Sequence, residues 1–332
     1  MHDLLAHADP VKAFWLADTR GEVIGLRTSG TTARPRIVVR STLSWTSSFD
    51  TYSRLTNIDD QSRVWIPGSS QGTMNLFALV HASWCGARLV DQASEATHIC
   101  LTPAALRSSL DAQLVHPGCT AIVAGDALST GVRDRAVEQG IVVCHYYGAS
   151  ELSFVAWGSG VDDLEAFPGV EVEVRDELLW CRSPYLAQGY AVGGGALHFA
   201  SDGFATVGDR GRICDGVIEV MGRGGEAVTT SGSTVLVADV EAELRPLAHG
   251  EVVVIGVPHE QWGAVLAAVV TDPRDRVELP ERAHAILPPS HRPRRWVLVD
   301  SLPVTNAGKV DRTALAALDF GTAGGPSGQM AR

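Results

Sequence analysis

The sequence predicts an α/β protein: a large domain built on a mostly parallel sheet covered by helices, a small antiparallel β unit, and a small α+β C-terminal domain. Three patterns predict it. Short apolar runs at 87–90, 98–101, 121–124 and 142–145 alternate with helix-like segments at 102–114 and 130–140, as buried strands of a parallel sheet do. After Glu151 the runs alternate apolar and polar and are separated by Gly and Asp turns, which reads as antiparallel hairpins. From about Gly222 a helix pattern at 237–247 is mixed with strand patterns at 251–257, 264–271 and 296–299.

Taken in order, 22–27 is a short strand running into the polar loop 28–35. A strand at 64–67 is followed by 74–84, whose apolar spacing is helical. The parallel-type runs follow up to 145. Strands at 170–175, 177–181 and 217–220 make the antiparallel unit. The expected division is 1–222 for the large domain, with 152–222 as its β unit, 223–320 for the C-terminal domain, and a small polar tail at 321–332 that frays.

Composition narrows the function classes. The 332 residues carry 27 basic and 38 acidic side chains, net −11, which argues against a general nucleic-acid or anionic-membrane binder. No uninterrupted apolar run is long enough to span a bilayer, and the N-terminus lacks a basic-then-apolar leader, so the expected location is cytoplasmic. The cysteines 85, 100, 119, 144, 181 and 214 form no CxxC, and no HExxH or HxH occurs, so reduced thiols and no structural metal are expected. Lys12 and Lys309 are the two lysines against 25 arginines. A lysine kept in a loop of an arginine-biased chain is a candidate for work that needs a compact point charge rather than a planar fork.

Several motifs compete. Gly222–Ala227 fits GxGxxA, but the Thr/Ser/Gly run behind it is poor helix material, and a dinucleotide site needs a helix N-terminus there. Gly68-Ser69-Ser70-Gln71-Gly72 fits the GxSxG of a nucleophile elbow, with Asp126 and His198 or His259 as nominal partners, so a serine hydrolase using Ser70 is the alternative from another class. No GxxxxGK[ST] is present. The loop Thr28-Ser29-Gly30-Thr31-Thr32-Ala33-Arg34-Pro35-Arg36 offers hydroxyls, amides and arginine to phosphate oxygens. It is followed along the chain by Tyr147-Gly148-Ala149-Ser150-Glu151, by Gly208-Asp209, by Gly222-Arg223, by Gly232 and by Asn306-Ala307-Gly308-Lys309.

In this order the segments resemble the adenylate-forming superfamily of acyl- and aryl-CoA synthetases, nonribosomal adenylation domains and luciferases, over about 26–315. The tract 202–272 looks like compact actinobacterial acyl-CoA ligases, including succinylbenzoate–CoA ligases. The resemblance implies an ATP- and Mg²⁺-dependent acid–thiol ligase, AMP-forming, with CoA the expected thiol. A carrier-protein thiol or an amine is the other acceptor. The remaining partner is a small carboxylic acid. Thr28, Ser29, Gly30, Thr31 and Thr32 would hold the β and γ phosphates, with Arg36 where the family usually has lysine. Gly125, Asp126, Ala127, Tyr147, Gly148, Ala149 and Ser150 would cradle adenine. Glu151 would hold the metal, Asp209 the ribose hydroxyls, and Arg223 ribose and phosphate. Lys309 would bridge the substrate carboxylate and the α-phosphate, from a lid that pivots near 224–226. Gly232 would line the pantetheine tunnel.

The chain departs from the family in placing 27 residues ahead of the phosphate loop, where relatives carry well over a hundred. One wall of the acid pocket is then rebuilt or supplied by a partner chain, which makes a homodimer an expectation. Tyr146, Met74, Phe77, Phe154 and Trp157 are candidates for the acid pocket, with core packing as the competing reading.

Overall fold

A computed structural model describes residues 2–28, 36–70, 72–192, 195–223, 227–230, 233–259, 263–305 and 310–320. The central sheet has seven strands in the order Glu165–Ala166, Ser153–Gly158, Val142–Ala149, Thr120–Val123, His98–Leu101, Arg63–Trp65, Arg88–Val90. The last five are mutually parallel; Ser153–Gly158 runs antiparallel to them, and Glu165–Ala166 pairs antiparallel with Ser153–Gly158. His98–Leu101 is buried at every position, as a strand covered on both faces must be.

The helices between these strands start and stop where local chemistry dictates. Thr102 caps the Pro103–Asp111 helix by accepting from the Ala105 amide at 3.3 Å, and proline stands in its first turn, where a missing N–H costs nothing. Ser129 caps Thr130–Glu138. Thr73–Cys85 ends at Gly86, whose φ of 78° suits glycine.

The mostly parallel large domain is as expected, but its boundary with the antiparallel unit is not at 152. After Glu151 the chain reverses and adds two strands to the seven-stranded sheet. The reversal is tight: a Cβ on Gly148 would lie 2.1 Å from the Ser153 carbonyl oxygen, so only glycine fits. The antiparallel unit proper starts at Glu171–Arg175 and runs through Leu178–Arg182, Asp209–Cys214 and Val217–Arg223.

A separate four-stranded sheet joins His2–Asp3, the hairpin Val23–Thr28/Arg36–Ser41, and Gly189–Val192, a strand contributed by the antiparallel region. The C-terminal region is a five-stranded sheet with the helices Val237–Leu244, Pro273–Ile286 and Arg312–Ala316, the α+β module expected. It meets the large body through Arg107, whose guanidinium donates to the Asp300 carbonyl and lies 3.6 Å from Glu251, and through an Arg210–Asp239 pair at 2.5 Å. No helix among the described residues is long and apolar enough to cross a membrane.

Candidate active site

In a parallel sheet, the loops at the carboxyl ends of the strands form the natural ligand crevice. Here those loops are 66–72 after Arg63–Trp65, 124–129 after Thr120–Val123, and the turn after Val142–Ala149. Because Thr120–Val123 and Val142–Ala149 are adjacent and parallel, Gly125-Asp126-Ala127 and Tyr147–Glu151 emerge side by side. Asp126 Oδ1 accepts from the Ala127 amide at 2.8 Å, closing the turn locally.

The two carboxylates of interest are both buried and both oriented by tyrosine. Asp209, 8% exposed, opens the strand Asp209–Cys214 and accepts from the Tyr147 hydroxyl at 2.7 Å. Gly208 ahead of it has φ 79°, and its amide donates to Thr206 Oγ1 at 3.0 Å, a turn that aims the following side chain. Arg223 is the cross-strand neighbour of Asp209. Glu151, 7% exposed, accepts from the Tyr190 hydroxyl at 2.8 Å, and its carbonyl accepts from the Ala187 amide at 2.8 Å. Ser150 Oγ donates to Thr73 Oγ1 at 2.9 Å, tying this turn to the start of the Thr73–Cys85 helix.

The polar segment lies in sequence between the paired antiparallel strands Val23–Thr28 and Arg36–Ser41, whose ends Thr28 and Arg36 face each other. Ser29, Gly30, Thr31 and Thr32 lie outside the described residues, as do Gly232, Lys309 and the expected pivot 224–226. The structure therefore joins Tyr147 to Asp209, sets Arg223 opposite it, and gathers Ala149, Ser150 and Glu151 at one turn.

Two residues at this site carried no sequence signal. Arg40 is fully buried, and its guanidinium reaches Ser44, Ser150 and Tyr185. Tyr190 comes from a strand that pairs with the hairpin. An apolar Ile37-Val38-Val39 run could have revealed the strand, though not where its flanking arginine goes.

Two of the acid-pocket candidates, Phe77 and Phe154, are core, while Met74, Tyr146 and Trp157 are half-buried. Phe77 and Phe154 are 4% and 2% exposed, and Tyr146 stacks on Trp157 with centroids 5.6 Å apart. Tyr52, His81 and Phe167 fill the same cluster. Burial drives the His81 pKa down to about 4, so it is a neutral packing group.

Ser70 is not hydrogen-bonded to any histidine among the described residues, and His198 is exposed on its own strand. Among the described residues no triad is seen around Ser70.

Comparison with known proteins gives a concordant picture. Residues 239–309 match the AMP-binding enzyme C-terminal domain. An uncharacterized acyl-CoA ligase of Bacillus subtilis, YhfT, is 26% identical over 94% of this chain and 70% of its own length. A probable 2-succinylbenzoate–CoA ligase of Mycobacterium tuberculosis is 34% identical over 61% of this chain, which spans 56% of that relative. Among solved structures, a variant of Escherichia coli MenE with bound OSB-AMS superposes with TM-score 0.74 at 22% identity, covering 89% of this chain and 68% of that one. MenE of Bacillus subtilis in complex with the acyl-adenylate intermediate OSB-AMP gives 0.71 at 21% identity, with 90% and 70% covered. These superpositions establish the fold.

Proposed function

We propose that the chain is a member of the adenylate-forming superfamily that activates a small carboxylic acid with ATP and passes the acyl group to a thiol, that of CoA before a carrier-protein thiol or an amine, a reading supported by the C-terminal domain match and the acyl-CoA ligase relatives. The observation that carries this reading is the pair of buried, tyrosine-held carboxylates, Glu151 and Asp209, beside the Gly125–Ala127 turn at the carboxyl edge of the parallel sheet.

The chemistry asks for such an arrangement. A carboxylate oxygen must form a bond to the α-phosphorus while the bond from that phosphorus to the bridging oxygen breaks, releasing pyrophosphate. Both reactants are anionic, so fixed positive charge at the transferring group lowers the barrier. Arg36 at the base of the hairpin and Lys309 are the side chains of this chain that we assign to that task. Asp209 accepts hydroxyl hydrogen bonds, which suits ribose. In the second step a thiol sulfur attacks the acyl carbonyl and AMP leaves with the bonding pair.

Mg²⁺ fits this donor set. Among the described residues no three His, Cys, Asp or Glu side chains gather into a metal cage. A single carboxylate such as Glu151 is what Mg²⁺ takes from a protein when phosphates and water complete its octahedron. Bound there, it would neutralise phosphate charge.

The deciding experiment is ATP–pyrophosphate exchange across a panel of carboxylic acids, then thioester or amide formation with CoA, a carrier protein and an amine. Acid-dependent exchange with CoA thioester formation is expected. Exchange with no acid in the panel, together with fluorophosphonate labelling of Ser70, would replace the ligase reading by the hydrolase one.

A further inference from the structure

Arg40 is the least expected buried side chain in the molecule. It sits on the strand Arg36–Ser41, is 0% exposed, and spends its whole fork on three acceptors. Nε donates to Ser44 Oγ at 2.9 Å, Nη1 to the Ser150 carbonyl at 3.2 Å, and Nη2 to the Tyr185 carbonyl. The guanidinium also lies 5.5 Å from the Trp45 ring centre. Burial lowers its pKa to about 9, with the charge of Glu151 pulling the other way, so it remains a cation at neutral pH.

A buried cation is costly to desolvate, and neutral side chains could bond two carbonyls and a hydroxyl without that cost. What a guanidinium adds is a rigid fork that joins three separate chain segments at once. The segments are informative. One strand carries Arg36 at the base of the phosphate-loop hairpin and Arg40 four residues on, roughly 14 Å along an extended chain. Ser150 immediately precedes Glu151. Tyr185 leads to Ala187, whose amide holds the Glu151 carbonyl, and to Gln188, whose amide returns to Val39 at 2.7 Å. Tyr190, paired with Val38, then donates to the Glu151 carboxylate. Every segment that touches Glu151 from this side is therefore tied to the strand leaving the polar loop.

We propose that Arg40 is a positioning residue for nucleotide activation: its fork fixes the Ser150–Glu151 turn relative to the strand Arg36–Ser41 and its Thr28-paired end at Arg36, so that the metal carboxylate is held in one register with that strand. The inference rests on the adenylation reading, because it takes Glu151 as the Mg²⁺ ligand. Arg40 itself touches neither nucleotide nor metal.

The test is calorimetric binding to the full chain of ATP with Mg²⁺, ATP with EDTA, and AMP, using Arg40→Gln, Arg40→Lys and Ser44→Ala, each checked for a cooperative melt. Loss of a group that orients a metal ligand typically weakens metal-linked binding about 10- to 100-fold. The expected result is a loss of about tenfold or more for Mg²⁺-ATP in Arg40→Gln and Arg40→Lys, a smaller loss in Ser44→Ala, and AMP binding within about twofold of wild type. The difference between variants and wild type should vanish in EDTA. If Arg40→Gln does not fold, Arg40→Lys and Ser44→Ala carry the decision. Equal weakening of AMP and Mg²⁺-ATP, or none in either, makes Arg40 a purely structural residue and overturns the proposal. Wild-type protein that binds neither nucleotide would instead overturn the adenylation reading, and this inference with it.

Discussion

The large body and the C-terminal module treat their buried carboxylates differently. In the body, Glu151 and Asp209 each accept a tyrosine hydroxyl, which orients one carboxylate oxygen by a neutral donor. In the module, Glu241, 1% exposed, is clamped by Arg312 at 2.7 and 2.9 Å and by Arg245 at 2.5 Å. Asp275, 0% exposed, accepts from the His249 and Gly250 amides at 2.8 Å. Those carboxylates are fully spent on holding the module together. The difference separates the two regions: the body holds two carboxylates by tyrosine hydroxyls, and the module uses arginine and backbone amides to pack its own elements together, so any catalytic contribution we propose for it must come from elsewhere in the module.

The largest effect that could break this contrast concerns the module's loop. We expect Lys309→Ala to slow acyl-AMP formation on the order of 10²–10³-fold, the loss of one transition-state donor, while thiol transfer from supplied acyl-AMP changes far less. Single-turnover assays of the two half-reactions read it. Equal slowing of both would mean that the module contributes packing and not chemistry.

The next concerns docking. Glu251 faces Arg107 across the body–module contact, with Asp111 and Asp126 on the body side, and a cavity of about 30 Å³ lined by Asp126, Ala127, Glu251, Leu302 and Arg312 lies between. Burial raises its pKa from 4.5 to about 7, opposed by Arg107 and assisted by Asp126 and Asp111. The docked form thus holds more protons than an undocked one with an ordinary carboxylate. Docking is tightest at low pH and weakens as pH rises from the ordinary value through about 7. Between pH 5 and 8 the docking constant should fall by up to roughly seventyfold. Energy transfer between labels on body and module measures it, and Glu251→Gln should flatten the profile. A slope unchanged in that variant would place the titrating group elsewhere.

Much of this architecture was legible in the sequence, for physical reasons that also explain the gaps. Strands such as His98–Leu101 are short, wholly apolar and separated by capped helices, so period and punctuation agree. The motif at 147–151 and Asp209 stand at strand ends, where turn residues mark them. The helix Pro273–Ile286 went unread because Pro280 stands inside it and charged residues dilute its apolar face. The strand Ser153–Gly158 went unread inside the range 152–222 assigned to the antiparallel unit, and a local pattern does not reveal which sheet a strand joins. Arg40 was invisible, since nothing local separates a buried arginine from a solvated one.

The smallest expected effect sharpens the comparison at the ribose site. If the Tyr147 hydroxyl only orients Asp209, its removal should cost one neutral hydrogen bond, whereas Asp209→Ala removes the acceptor itself. We expect Asp209→Ala to raise the KM for ATP by about tenfold or more, in the range of a lost hydrogen bond to a charged group, and Tyr147→Phe to raise it about two- to fivefold, near the value of a neutral one. In both, kcat with saturating ATP should stay within a few-fold of wild type, since ribose contacts are made equally in ground and transition states. Steady-state pyrophosphate release over a range of ATP concentrations separates the two parameters. A Tyr147→Phe penalty as large as that of Asp209→Ala would mean that the tyrosine hydroxyl itself contacts nucleotide. The body's carboxylates would then be no more independent of their partners than the arginine-clamped ones of the module. An unchanged KM in Asp209→Ala would remove the ribose assignment and leave Glu151 as the body's sole prepared acceptor.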